Sequence, residues 1–278
     1  MTLVVCMPAP DTDRLFTGSI PELYDKHLVP LIFEPYAVDI AARVAVAKPS
    51  QVLEIAAGTG VVTRHLAISL GLDATIVATD LNQPMLDRAA ATGTARPVEW
   101  QQADAMQLSF PDASFDAVVC QFGVMFFPDK PRAFAEARRV LRPGGRFIFN
   151  VWDRLEHNEF PDVVTQALRT AFPADPPLFF ERVPYGYHDA AVISRDLAAG
   201  GFTRRASIVT VPARSRASSV QIPAIAFCQG TPLRNEIEAR APTRLAEVTQ
   251  LAATALMHRF GTGAVDGKIQ AHVISINR

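Results

Sequence analysis

The residues best suited to chemistry lie between Val52 and Gly60, VLEIAAGTG, where an apolar run carrying one acid, Glu54, breaks into a turn holding Gly58 and Gly60. A buried strand runs there into a helix start. Such a turn lets backbone N–H groups and the helix N-terminus approach a ligand closely, and an acid at the strand end can hold a positively charged or hydroxylated part of it. This is the pattern of a site for a nucleotide-like cofactor. A second acid, Asp80, closes the strand ATIVATD, where a carboxylate can accept both hydroxyls of a ribose. A third, Asp104 in QQADA, follows another strand at the same end of the sheet. It can accept a hydrogen bond from an adenine amino group, with Ala105 leaving room for the ring and Met106 able to pack near it. A dinucleotide turn, by contrast, wants G-x-G-x-x-G, and from position 56 this chain offers Ala56, Gly58 and Val61, so two of the three glycines are missing.

Together with FDAVVCQFGVMFFPD (Phe115–Asp129) and LRPGGRF (Leu141–Phe147), these pieces form an ordered five-part set. It resembles that of class I S-adenosylmethionine-dependent methyltransferases, and among them the ubiquinone/menaquinone-biosynthesis C-methyltransferase-like, type 11 group, over about Leu53 to Trp152. That family usually has glycine where Ala56 stands, which narrows the room under the cofactor. The resemblance implies S-adenosyl-L-methionine as cofactor, S-adenosyl-L-homocysteine as product, and a small, partly apolar or aromatic acceptor methylated on oxygen, nitrogen or carbon. By position, Glu54 would favour the cofactor's ammonium, and Ala56, Gly58 and Gly60 would line its methionine part. Asp80 would hold the ribose, Leu81 and Met85 would flank the adenosine, and Asp104 and Ala105 would recognise adenine. Gln121 and Phe122 would border the transfer position.

Methyl transfer from a sulfonium needs alignment, exclusion of water and, for some acceptors, removal of a proton. Candidates for a base or an acceptor-orienting group are Tyr24 and His27 in YDKHLVPLIF, and His157 after the fifth strand. An N-terminal helical segment closing over the cofactor, as similar enzymes often have, would bring Tyr24 near it. His65 and His258 read as structural. No H-E-x-x-H, G-x-S-x-G or G-x-x-x-x-G-K-[ST] occurs, and no metal is expected. Two other classes stay open: an NAD(P)-dependent oxidoreductase, and a non-catalytic S-adenosylmethionine-binding protein.

The elements that must position these residues follow from periodicity and punctuation. Strand and helix patterns alternate from Val52 to Trp152, which predicts an α/β, Rossmann-like, mostly parallel seven-stranded sheet with helices on both faces. Residues 1–16 read as a flexible tail ahead of one domain over 17–278. Within it, 17–48 is a helical lid split near Pro30, 49–152 the cofactor-binding core, and 153–188 a Pro- and Phe-rich substrate cap. The remaining sheet, 189–278, carries a helical insertion at about 220–260, placed either to cap the substrate or to meet a second copy in a homodimer. Arg138, Arg139 and Arg142 read as the solvated face of a helix.

Bulk properties narrow the partners. With 27 basic and 28 acidic side chains in 278 residues, no net field draws the chain to nucleic acid or an anionic membrane, so a small molecule is the expected partner. Three scattered cysteines, Cys6, Cys120 and Cys228, suggest neither a disulfide framework nor a metal site, and fit a cytoplasmic protein. The N-terminus lacks a basic lead, and no stretch is long and apolar enough for a membrane span.

Overall fold

The alternation from Val52 onward folds as one seven-stranded sheet in the computed structural model, which describes residues 11–278. A 3-10 turn at Asp11–Arg14 leads to α1 (Ile20–Leu23), a ten-residue π-helix (Tyr24–Phe33) and α2 (Glu34–Ala45). The core follows as β1 (Gln51–Ile55), α3 (Val61–Ser69), β2 (Thr75–Asp80), α4 (Gln83–Thr92), β3 (Glu99–Gln102), β4 (Phe115–Gln121), α5 (Lys130–Val140) and β5 (Leu141–Trp152). After it come α6 (Glu159–Ala171), α7 (Phe179–Arg182), α8 (Ala190–Ala199), β6 (Ser207–Ala217), α9 (Gln221–Gln229), α10 (Leu233–Arg240), α11 (Leu245–Phe260) and β7 (Val265–Asn277).

Across the sheet the order is β3-β2-β1-β4-β5-β7-β6, with β7 antiparallel to both its neighbours and the other pairs parallel. Val52, Leu53 and Ile55 are buried because helices cover both faces of β1. Strand order reverses between β1 and β4, so the crevice beyond their carboxyl ends is where such a sheet takes a ligand. On α5 the buried stripe Ala133, Phe134, Ala137 and Val140 faces the sheet, and Asp129 caps the helix by accepting the Arg132 N–H.

Three readings are corrected. Pro30 does not split the N-terminal helix, because it sits inside the π-helix, whose wider turn tolerates the ring and the missing N–H. Of the expected flexible tail, residues 1–10 lie outside the described residues, whereas Asp13 and Phe16 are packed: Asp13 is 1% exposed and bonded to Arg182 at 2.7 Å, and Phe16 contacts Tyr24 and Phe126 edge-on. Arg139 is not simply solvated, since it binds Glu136, Asp112 and the carbonyls of Leu108 and Phe110, pinning the loop before β4.

Behind the crevice, a Cβ on Gly123 would stand 2.5 Å from the Ala56 Cβ and 2.8 Å from the Cys120 Sγ. Overpacking of that kind costs about 1–3 kcal/mol, so Gly123→Ala should lower stability by that amount in urea unfolding. Adding Ala56→Gly should recover part of the loss; no recovery would show that the Ala56 contact is not the cause.

Candidate functional site

Beyond the carboxyl ends of β1, β2 and β4 lies a cavity of about 780 Å³ including its open mouth. Its wall contains Tyr24, Ala56, Gly58, Asp80, Leu81, Met85, Asp104, Ala105, Gln121 and Phe122, ten of the residues singled out from the sequence. Two others stand back from it. Gly60, at φ 79°, starts α3 in a left-handed conformation, and a Cβ there would meet Trp100 at 3.0 Å, so its smallness serves helix–strand packing. Glu54 lies below the turn, 1% exposed, accepting the Thr63 hydroxyl at 2.6 Å.

Asp80 organises the polar end. One carboxylate oxygen accepts the Gly58 N–H at 2.9 Å and the other the Asn82 N–H at 2.8 Å, tying the glycine turn to the start of α4. Burial raises its pKa, and these N–H donors oppose the shift. Asp104 accepts the Met106 N–H at 2.8 Å, closing a small loop whose Ala103, Ala105 and Met106 make an apolar slot in the wall. A carboxylate thus stands beside apolar side chains, groups that could receive the amino edge and the face of a purine ring.

Two non-glycine residues of the wall have left-handed backbones, Ala56 at φ 54° and Phe122 at φ 50°. Such conformations cost about 1–3 kcal/mol and persist only where surroundings fix them. At Phe122 the fixing group is Asn150, fully buried in β5, whose side-chain oxygen accepts the Phe122 N–H at 2.9 Å and whose carbonyl accepts it at 3.2 Å.

Burial pushes the Glu54 carboxyl up to about 8, with Thr63 and Arg64 opposing the shift. The folded protein therefore keeps a proton that the unfolded chain releases from about pH 4.5 upward. The contribution of Glu54 to stability is greatest below about pH 4.5 and is lost as pH rises to about 8. Glu54→Gln, neutral and able to accept the Thr63 hydroxyl, should flatten this decline in thermal melts across the window. Identical slopes in both proteins would contradict the assignment.

A second cavity of about 440 Å³ adjoins the first. Phe16, Tyr24, Phe122 and Phe126 line both and so form the boundary between them. Leu28, Ile32 and Phe33 reach it from the π-helix, Trp152 from the end of β5, and Phe179, Phe180 and Tyr185 from the stretch read as a cap. Phe227, Thr231 and Pro232 contribute from the insertion. Phe122 and Trp152 stack with centroids 3.8 Å apart and planes 7° apart. Other cap aromatics serve packing, as Phe160 does against Phe260 and Tyr187 does by donating to Asp196 at 3.0 Å.

The three proposed catalytic side chains fare differently. Tyr24 stands on the boundary between the cavities, but burial and the nearby Asp80 and Asp25 carboxylates drive its pKa up, so it stays protonated and serves as a neutral donor rather than a base. His27 and His157 line neither cavity, which corrects their assignment to the chemistry. His27 is partly buried with its pKa lowered by burial and by Lys26. His157 bonds to Asp153 at 2.8 Å, within a group that includes Gln270 and His272. Sequence reasoning missed Arg14, Phe16, Asn82, Phe126 and Phe127 in the wall and Asn150 behind it. Among the described residues there is no cluster of side chains arranged to hold a metal ion, and no helix long and apolar enough to cross a membrane.

Residues 53–149 match the model of a methyltransferase domain. The chain is similar to the ubiquinone/menaquinone biosynthesis C-methyltransferase UbiE of Saccharophagus degradans, 40% identical over 102 residues covering 35% of this chain and 41% of that protein. It is 30% identical to UbiE of a Marinomonas species over 164 residues, covering 58% of this chain and 61% of that protein. The match thus spans about half the length of these curated relatives. Among solved structures, the YcgJ protein from Bacillus subtilis superposes with a TM-score of 0.55 at 17% identity, covering 88% of this chain and 98% of that one. A phosphoethanolamine N-methyltransferase 2 from Haemonchus contortus, solved with phosphomonomethylethanolamine and S-adenosylhomocysteine, gives a TM-score of 0.59 at 18% identity, covering 98% of this chain and 61% of that one. At these identities the structural likeness is one of fold: the Rossmann-like sheet of class I methyltransferases.

Proposed function

With residues 53–149 matching a methyltransferase domain, we propose that this chain is an S-adenosylmethionine-dependent methyltransferase acting on a small, largely apolar acceptor. The observation that carries the reading is the pair of cavities, one carrying the Asp80 and Asp104 carboxylates in its wall, the other apolar, meeting at Tyr24 and Phe122. The bound cofactor would supply an electrophilic methyl group on a sulfonium.

The residues present suit that cofactor. Asp80 would accept the ribose hydroxyls, Asp104 and the slot at Ala105 would hold adenine, and Leu81 and Met85 would flank it. Ala56 and Gly58 would pass under the methionine part, with Gln121 and Phe122 at the transfer position. Glu54 would feel the ammonium from beneath the turn and give up its proton when that cation binds. Tyr24 and Phe122 would orient the acceptor, and the aromatic lining would exclude water. A dinucleotide suits the space less well, because its second ribose and phosphates would fall among Phe16, Phe33, Phe126 and Trp152, which offer them no partners. A cytoplasmic setting is supported by two buried thiols, Cys120 and Cys228, left unpaired in the fold.

The test is a methyl-transfer assay over a panel of apolar phenols, thiols, enols and amines, following S-adenosylhomocysteine release. Turnover with at least one acceptor is expected. Tight cofactor binding with no turnover across the panel would favour a non-catalytic S-adenosylmethionine-binding protein.

A further inference from the structure

Among the described residues, none with a free basic group lines the second cavity. Among the described residues its lining is aromatic and aliphatic apart from three hydroxyls, those of Tyr24, Tyr185 and Thr231. Thr231 is engaged, donating to the Phe227 carbonyl at 2.8 Å and accepting the Leu233 N–H at 3.3 Å. Both phenols are held protonated, Tyr24 by burial and by Asp80 and Asp25, Tyr185 by burial. In the adjoining cavity the two carboxylates, Asp80 and Asp104, are those the cofactor reading gives to ribose and adenine, and among the described residues no histidine lines either space. Among the described residues no lysine or arginine lines the second cavity, and Arg14 is the one cation in the wall of the adjoining cavity, so an anion placed in the second cavity alone would lose its hydration without a counter-charge in that lining.

We propose, building on the methyl-transfer reading, that the acceptor is an apolar molecule bearing an acidic phenol, thiol or enol, that this group enters already ionised, and that it binds firmly only when the adjoining cavity holds a ligand with a positive charge facing it. Transfer to such an anion forms one bond from the nucleophile to the methyl carbon and breaks one carbon–sulfur bond, whose electron pair returns to sulfur. Both charges vanish and no proton moves, so a dry, base-free cavity is suited to it. An acceptor that must lose a proton at a weakly acidic group would need a base the cavity lacks. A neutral amine would leave a cation there with no carboxylate beside it. Two of the rings at the boundary spend one face on another ring, Phe122 on Trp152 at 3.8 Å and Tyr24 on Phe33 at 5.1 Å.

The experiment uses two probes. Calorimetric titration with 4-nitrothiophenol is run on the protein saturated with sinefungin, which carries an ammonium in place of the sulfonium, and on the protein saturated with S-adenosylhomocysteine, which is neutral there. Affinity at least about tenfold higher on the sinefungin complex is expected. In methylation assays with 4-nitrothiophenol and 4-nitrophenol, the pH at which kcat/KM reaches half its maximum should move with the acidity of the acceptor. Equal affinity on the two complexes would overturn the proposal, as would one fixed inflection for both acceptors, which would reveal a base on the protein. Methylation of neutral amines but of neither acidic acceptor would overturn it while sparing the methyl-transfer reading. Failure to bind either sinefungin or S-adenosylhomocysteine would overturn that reading, and the proposal with it.

Discussion

Replacing Asp80 by alanine is expected to weaken S-adenosylmethionine binding about 100-fold, on the order of 3 kcal/mol. The carboxylate would accept two ribose hydroxyls, and charge-assisted hydrogen bonds are worth about 1.5–3 kcal/mol each. Part of the loss arises indirectly, because Asp80 also holds the Gly58 and Asn82 N–H groups and thereby the shape of the glycine turn. Asp80→Asn separates the two effects: it keeps an oxygen for one of those donors and preserves side-chain volume, but loses the charge. It should melt near the wild type and still bind at least about tenfold more weakly. Unchanged affinity in Asp80→Ala, measured by calorimetry, would remove this residue from the site.

Trp152→Ala should be the most destabilising single change at the second cavity. Trp152 is 2% exposed, stacks on Phe122 and packs against Phe33, Tyr36 and Tyr185. Truncating such a side chain leaves a void that costs about 3–5 kcal/mol, and a protein of this size should lose on the order of 10 °C in melting temperature. Because Trp152 also forms the wall of the second cavity, the acceptor's KM should rise more than the cofactor's Kd. Trp152→Phe, which keeps the stack, should recover most of both. A loss below about 1 kcal/mol in Trp152→Ala would mean that the stack is not integral to the core.

The cofactor-side half of the site was legible because its chemistry sits in short contiguous motifs at strand ends. Glu54 lies within an apolar run, Asp80 closes one and Asp104 follows the short strand EWQQ, and parallel strands bring such ends to one edge of the sheet. What the sequence could not reveal is assembled from distant segments. Phe16 and Arg14 come from a stretch too short for periodicity, and their place depends on Asp13 reaching Arg182, 169 residues away. Asn150 reads as one polar residue inside a strand, with no local sign that it holds Phe122. For the histidines the residue type suggests proton transfer, but the fold commits His157 to Asp153 and leaves His27 partly buried and in the lining of neither cavity. Gly60 reads as lining the methionine part, yet it is small for the sake of Trp100, and Glu54, read as facing the ammonium, is buried beneath the turn.

The most direct single test is calorimetric titration of the whole chain with S-adenosylmethionine, S-adenosylhomocysteine and NADH in parallel. Saturable one-to-one binding of the first two, with none of NADH, is expected from a cavity built for one nucleoside beside an apolar pocket. Tight NADH binding without either sulfur ligand would contradict it and make the glycine turn a dinucleotide site.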